Sequence, residues 1–216
     1  ATHLYYVEVQ EPDMHEPTGD FERLQAALAE QWQIEGLTAP LDIMRRLQPA
    51  LRKGEWKVTV ALHKGHRDTQ YRVLDIWPGY YEGRIYGLAI DLGSTTIAAH
   101  LTDLSNGTVK ASAGVMNPQI RFGEDLMSRV SYAMMNPGGA EQMTTAVREA
   151  LSALAAEVAH EAGTTAENIL ELTLVGNPIM HHLVLGLDPT ELGGAPFALA
   201  IDSAVEQTAG SLGIEV

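Results

Sequence analysis

The sequence has no cysteine. That excludes a disulfide framework, a thiolate zinc site, an iron–sulfur cluster ligated by this chain, and cysteine catalysis. Basic residues are scarce: 14 Lys and Arg stand against 28 Asp and Glu, a formal net charge of −14 over 216 residues. Nucleic-acid phosphate needs a basic patch, so no nucleic-acid partner is expected. No apolar run reaches the ~18 residues of a membrane span, so no membrane partner is expected either. The opening ATHLYYVEVQEPDMHEPTGD lacks the basic start and apolar core of a secretory signal, which makes the cytoplasm the expected location. It also lacks an initiator Met, so the chain is expected to begin inside a longer protein.

What is present is globular composition, with 45% hydrophobic and 19% charged residues. The length suits one large domain or two small ones. Charge is unevenly spread. Residues 1–85 hold 10 basic and 13 acidic side chains, and residues 86–216 hold 4 and 15. The shift coincides with Pro78-Gly79-Tyr80-Tyr81-Glu82-Gly83, whose glycines and proline punctuate the chain. A boundary is expected near 80–86, with domains 1–83 and 84–216.

The first segment reads β-α-α-β-β, a small α+β unit. LYYVEVQ has strand composition. In DFERLQAALAEQW, Phe21, Leu24 and Leu28 share a helical face, with Asp20 as the expected N-cap. LDIMRRLQ places Ile43, Met44 and Leu47 together, and Pro49 is expected to end or kink that helix. WKVTVALH and TQYRVLDIW read as strands about an HKGHRD turn. The second segment opens with three strand-like runs, IYGLAIDLG, TTIAAHLTDL and VKASAGVMN, with a hairpin signal at Ser105-Asn106-Gly107. EDLMSRVSYAMM reads as a helix. In EQMTTAVREALSALAAEVAHEAG, Met143, Val147, Leu151, Leu154 and Val158 form one stripe, and Gly163 marks its end. ILELTLVGN reads as a buried parallel strand and IMHHLVLGL as a helix.

Three stretches carry chemistry. Asp91-Leu92-Gly93-Ser94-Thr95-Thr96 lies between two strands. Gly93 allows a tight turn and a close ligand approach. Ser94, Thr95 and Thr96 offer hydroxyls and successive N–H groups suited to phosphate oxygens. Asp91 at a strand end suits Mg²⁺, directly or through water. The competing reading is an ordinary hairpin turn with an Asx hydrogen bond. In Val175-Gly176-Asn177-Pro178, Asn177 either faces a ligand at the carboxyl end of a strand or, the favoured reading, caps a helix with Pro178 at its first position. In Asn117-Pro118-Gln119-Ile120-Arg121-Phe122-Gly123-Glu124-Asp125, the residues Gln119, Arg121 and Asp125 are candidates for contact with a substrate or partner. Equally, the stretch is a loop whose Glu124 and Asp125 cap the next helix. His181 and His182, about 100° apart on a helix, cannot readily share a metal. One should face the core and the other solvent.

The run IYGLAIDLGSTTIAAHLTDLSNGTV resembles the opening of the first lobe of the actin-like ATPase superfamily, with D-x-G-[ST]-T matching its first phosphate loop. NPQIRFGEDLMSRV, LVGNPIMHHLVLGLDP and GGAPF, in that order, resemble the reductive activators of corrinoid proteins. The resemblance covers residues 84–200 closely, and residues 1–83 by position and element pattern as a middle domain. It implies an α/β fold, an actin-like (ribonuclease H-like) lobe preceded by a small α+β domain. It implies ATP and Mg²⁺ as cofactors. Asp91 would hold Mg²⁺-bound water, Gly93, Ser94, Thr95 and Thr96 would line the phosphates, and Gly176 and Asn177 the cleft floor. It implies a corrinoid protein as partner, and electrons from a [2Fe–2S] domain outside this chain. A homodimer is left open. The sequence departs from the pattern in lacking cysteine, in ending at Val216 before a second lobe, and in placing Pro178 and Ile179 where Thr-Thr is common. The first two departures read as truncation. Two alternatives are a sugar- or acyl-kinase-like phosphotransferase with its substrate near Arg121 and Asp125, and a non-catalytic interaction module.

Overall fold

The computed structural model describes residues 1–216, which divide into two units, Ala1–Arg84 and Ile85–Val216. In the first unit the N-terminal aromatic and β-branched run forms strand β1 (Thr2–Glu8). Helix α1 spans Asp20–Trp32, strand β2 Leu37–Thr38 and helix α2 Leu41–Lys53. Strands β3 (Lys57–His63) and β4 (Tyr71–Pro78) follow. The sheet order is β1-β3-β4-β2, with β3 antiparallel to β1 and β4, and β2 parallel to β4. Leu24 and Leu28 of α1 and Ile43, Leu47 and Leu51 of α2 pack with Val58, Val60, Leu62, Val73 and Ile76 of the sheet. Each such side chain contributes roughly 1.5–3 kcal/mol of apolar burial. That exceeds the roughly 0.5–1 kcal/mol of rotamer entropy it loses.

The sequence expectations fail here at local points. β2 is too short to carry a hydrophobic period and was not foreseen. The N-cap of α1 is Gly19, and Asp20 is instead the first helical residue, where it pairs with Arg52. Met44 lies off the buried face and is 42% exposed. Pro49 neither ends α2 nor stops its last turn. It sits on the exposed side of the helix, where the carbonyl it leaves unpaired can be met by water. Arg23 is buried and donates to the carbonyls of Glu11, Glu16 and Thr18, fastening the acidic loop onto α1.

The second unit begins with an antiparallel meander of β5 (Tyr86–Leu92), β6 (Thr96–Asp103) and β7 (Val109–Met116). A 3-10 turn (Pro118–Phe122) leads to helices α3 (Leu126–Met135) and α4 (Gly139–Glu161). Strand β8 (Ile169–Gly176) then returns parallel to β5 and feeds helix α5 (Pro178–Leu185). The order is β7-β6-β5-β8. The stripe Met143, Val147, Leu151, Leu154 and Val158 is buried as expected. It packs α4 against β6 and β7. β8 is parallel, as expected, but it is an edge strand and not a buried one, with Val175 58% exposed.

The histidine pair divides only in part as expected, since neither ring is fully exposed. His182 is buried and His181 is half-buried. His182 Nε2 accepts from the Ala200 N–H at 3.0 Å, so the ring proton lies on Nδ1, which donates to the Pro178 carbonyl at 2.8 Å. This tautomer ties the chain after Pro196 to the start of α5. The irregular tail is also held by buried Ile214 and by the Glu215 N–H donating to Ser152 Oγ. No helix is long and apolar enough to cross a membrane.

Replacing Pro49 tests the account of α2. Pro costs about 3 kcal/mol relative to Ala inside a helix, and roughly 0.4–1 kcal/mol of that returns through a stiffer unfolded chain. Pro49→Ala should stabilise the first unit by about 2 kcal/mol, read as a higher urea midpoint. A lower midpoint would show that Pro49 makes a favourable contact the helix needs.

Candidate functional site

The site is built at the carboxyl ends of the two parallel strands. β5 and β8 run in register, Asp91 opposite Val175 and Leu92 opposite Gly176. The first and second sequence signals are thereby brought side by side. Asp91 is exposed at the end of β5 although its strand neighbours Ile90 and Leu92 are buried. Alternation along the strand puts the carboxylate on the face opposite the core.

The loop from Gly93 to Thr96 folds tightly, the Gly93 N–H donating to the Thr96 carbonyl at 3.1 Å. A Cβ at position 93 would lie 2.5 Å from that same oxygen, which is why only glycine fits the turn. Its next three carbonyls are all taken from within the lobe. Asn117 Nδ2 donates to the Gly93 carbonyl at 2.8 Å. The Arg129 guanidinium donates to the Ser94 carbonyl. The Asn117 N–H donates to the Thr95 carbonyl at 2.8 Å. A trans peptide points its C=O and the following N–H in opposite directions. Three held carbonyls therefore turn the N–H groups of Ser94, Thr95 and Thr96 away from their partners. No protein acceptor takes the N–H of Ser94 or Thr95. Successive free N–H groups beside hydroxyls form an anion-binding concavity.

Asn117 and Arg129 are the residues that sequence reading missed as site builders. Asn117 is fully buried. Its Oδ1 accepts from the Gln119 N–H at 2.9 Å, so one amide caps the 3-10 turn and clamps the loop. Arg129 is also fully buried, and besides Ser94 it donates to the Gly123 carbonyl at 2.9 Å and meets Met180 Sδ at 3.4 Å. Burial lowers its affinity for the proton, and the nearby Asp125 carboxylate opposes that effect. Asn117 had a signal, since it opens the Asn117–Asp125 motif after a strand-like run, whereas nothing in the sequence distinguishes Arg129 from an ordinary helix residue.

The other candidates are placed differently from one another. Asn177 caps α5, its Oδ1 accepting from the Met180 N–H at 3.0 Å with Pro178 at the first helical position. That was the favoured reading. Gly176 closes the floor, where a Cβ would meet the Leu92 carbonyl at 3.1 Å. Gln119 was a candidate for contact with a substrate or partner, but it is fully buried and donates to the Met143 carbonyl at 3.0 Å. The 3-10 turn rolls its side chain inward under α4. Arg121 is exposed over the Phe122 ring. Asp125 caps α3 by accepting from the Ser128 N–H at 2.7 Å, and that bond holds its carboxyl below the usual range. Both of the latter belong to the run that leads from β7 into α3, not to the Asp91 loop itself.

A divalent cation is compatible with these residues. Mg²⁺ needs few carboxylates and keeps several waters, and Asp91 is a single accessible carboxylate beside an anion cradle. No group of three His, Asp or Glu side chains is placed to hold a metal by itself. Any Mg²⁺ held at Asp91 would therefore need its remaining donors from outside the side chains of this lobe.

Two sequence families cover the chain. The RACo middle region matches residues 86–216 and the RACo linker region residues 1–83. The chain belongs to the RACo family. In that family's terms the small domain is the linker, and "middle" describes the lobe that carries the loop. A curated relative, the corrinoid activation enzyme RamQ of Eubacterium limosum, is 34% identical over 127 residues, 58% of this chain and 21% of RamQ. A solved structure described as a reductive activator for a corrinoid, iron–sulfur protein superposes with a TM-score of 0.89 at 30% identity, covering 99% of this chain and 34% of that one. The fold is thus the expected α/β one, an actin-like lobe after a small α+β domain. The chain spans about a fifth of the curated relative and about a third of the solved one.

Removing the Asn117 clamp should loosen the loop. Asn117→Ala deletes two side-chain hydrogen bonds to backbone at roughly 1–1.5 kcal/mol each, besides a weak contact to Met180 Sδ, so the lobe should lose about 2–3 kcal/mol. Amide exchange at 94–96 should quicken more than exchange in α4. Unchanged exchange at the loop would show that Asn117 does not hold it. Asp125 gives a pH test. Its lowered carboxyl pKa contributes stability that is complete above the unfolded value of about 4 and is lost as pH falls through the folded value. Asp125→Asn keeps a capping oxygen but should abolish that acid-limb loss in denaturation curves between pH 6 and 3, taken as about the range where carboxylates titrate. An identical acid limb in the variant would remove Asp125 as its source.

Proposed function

We propose that this chain is the linker and first ATPase lobe of a reductive activator that acts on a corrinoid protein, with Mg-ATP bound at the Asp91 loop. The reading rests on one observation above the rest: the carbonyls of Gly93, Ser94 and Thr95 are all held inside the lobe, which aims the following N–H groups away from it, next to an exposed carboxylate. The names of RamQ and of the solved activator support the corrinoid partner.

Each residue then has a defined task. The N–H groups of Ser94 and Thr95 donate to phosphate oxygens, and their hydroxyls add further donors. Asp91 accepts from water on Mg²⁺ and orients it at the phosphate end. Mg²⁺, when bound, neutralises phosphate charge and polarises the bond to be cleaved. Gly176 keeps the floor beneath the loop free of side chains. Binding energy at this cleft would favour one arrangement of the complete protein over another. Coupling to the partner follows only if the corrinoid protein, in its two cobalt states, binds those arrangements with different affinity. The resemblance to reductive activators implies a [2Fe–2S] domain elsewhere in the protein as the electron source; this chain has no cysteine to hold such a cluster itself.

The phosphotransferase alternative placed a substrate near Arg121 and Asp125. Asp125 is committed to the cap of α3, so no specific observation favours that reading.

Asp91→Ala in the full-length protein should abolish ATP turnover and leave the thermal melt of the protein unchanged, because the side chain is exposed and buries nothing. ATP hydrolysis by the variant at the wild-type rate would refute the site assignment.

A further inference from the structure

On the nucleotide reading given above, a strongly acidic unit receives a polyanion. Residues 86–216 contain four basic side chains, Lys110, Arg121, Arg129 and Arg148, against fifteen acidic ones. Lys110 faces Asp103 at 4.0 Å. Arg121 lies over the Phe122 ring. Arg148 donates to the Val184 carbonyl at 2.9 Å. Only Arg129 is bonded to the loop.

Its setting is unusual for an arginine. The side chain is fully buried. Its hydrogen-bond partners are the Ser94 and Gly123 carbonyls and the Met180 sulfur, and the nearby Asp125 carboxylate offsets the cost of its burial only in part. A buried guanidinium is costly to the extent that anions leave it uncompensated. A methionine or leucine would fill the same volume without that cost. The two carbonyls it joins come from different segments: Ser94 in the loop itself, and Gly123 at the entry to α3. A planar fork can hold both at once, whereas a lysine ammonium is a point charge on a flexible stem.

We propose that Arg129 is a positioning residue for the phosphate loop: it fixes the Ser94 carbonyl so that the Thr95 N–H faces the ligand, and it supplies from behind the loop the positive charge that a polyphosphate requires in this acidic lobe. The proposal rests on the nucleotide reading given above. Arg129 does not touch the ligand, since the Ser94 peptide stands between them. In a low-dielectric interior its field still reaches the anion with little screening. Phosphate binding in turn compensates the buried charge, so loop order and anion occupancy reinforce each other.

The test uses the full-length protein and compares Mg-ATP with adenosine, the latter measured by competition. Arg129→Met should weaken Mg-ATP by about 10-fold or more, as loss of a charge-assisted contact does. Adenosine, which has no phosphate, should change by less than about 2-fold on the same scale. Arg129→Lys restores the charge but not the fork, so its Mg-ATP affinity should fall between wild type and Arg129→Met, with faster amide exchange at 94–96. Mg-ATP affinity within about 2-fold of wild type in folded Arg129→Met would overturn the proposal. Equal weakening of adenosine and Mg-ATP would overturn it as well, by showing only general damage. If Arg129→Met fails to fold, Arg129→Lys decides: selective weakening of Mg-ATP supports the proposal, and unchanged binding with unchanged exchange rejects it. A wild-type protein that binds no Mg-ATP would instead refute the nucleotide reading itself, and this proposal with it.

Discussion

The site depends on the capture of three consecutive carbonyls, Gly93, Ser94 and Thr95, by Asn117 and Arg129. Without it, Asp91-Leu92-Gly93-Ser94-Thr95-Thr96 is a hairpin turn like many others. With it, peptide geometry leaves the loop no choice about where its N–H groups face. The two captors come from beyond β7, in the 3-10 turn region and α3, and the meander delivers them beneath the loop. The sheet order then brings the end of β8 beside the end of β5, so Asp91 and Gly176 share one rim.

Several buried polar residues of this apolar lobe hold backbone in the same manner. Asn117, Gln119, Arg129 and His182 are each buried, and each bonds backbone: Gly93, Met143, Ser94 with Gly123, and Pro178 with Ala200. Buried polar groups are tolerated when they are satisfied and destabilise when they are not; of these four side chains, Gln119 is only half satisfied, its Oε1 having no hydrogen-bond partner. Here they tie irregular segments, which carry no ladder of their own, to the regular sheet and helices. The stripe on α4 supplies the apolar burial against which those ties are made.

Much of this was legible in the sequence because it follows from period and punctuation. The meander, the long α4 with its Met143–Val158 stripe, the parallel return of β8 and the cap at Asn177 are all consequences of local pattern. Other features depend on tertiary position. Pro49 reads as a breaker, yet it lies on the exposed side of α2. β8 reads as buried from its apolar run, but whether a strand is central or at an edge is set by sheet order. Gln119, Arg121 and Asp125 read as one polar group. A single turn of 3-10 helix sends the first inward, leaves the second on the surface and commits the third to capping. Asn117 was visible in its motif, and Arg129 looked like an ordinary helix residue. Neither shows from sequence which carbonyl it will hold.

The most direct test is a crystal structure of the complete protein with Mg²⁺ and a non-hydrolysable ATP analogue. Phosphate oxygens should lie within about 3 Å of the Ser94 and Thr95 nitrogens. A magnesium-bound water should rest on Asp91, with the Asn117 and Arg129 bonds to the loop intact. A nucleotide bound elsewhere, with the loop N–H groups facing only solvent, would contradict the account.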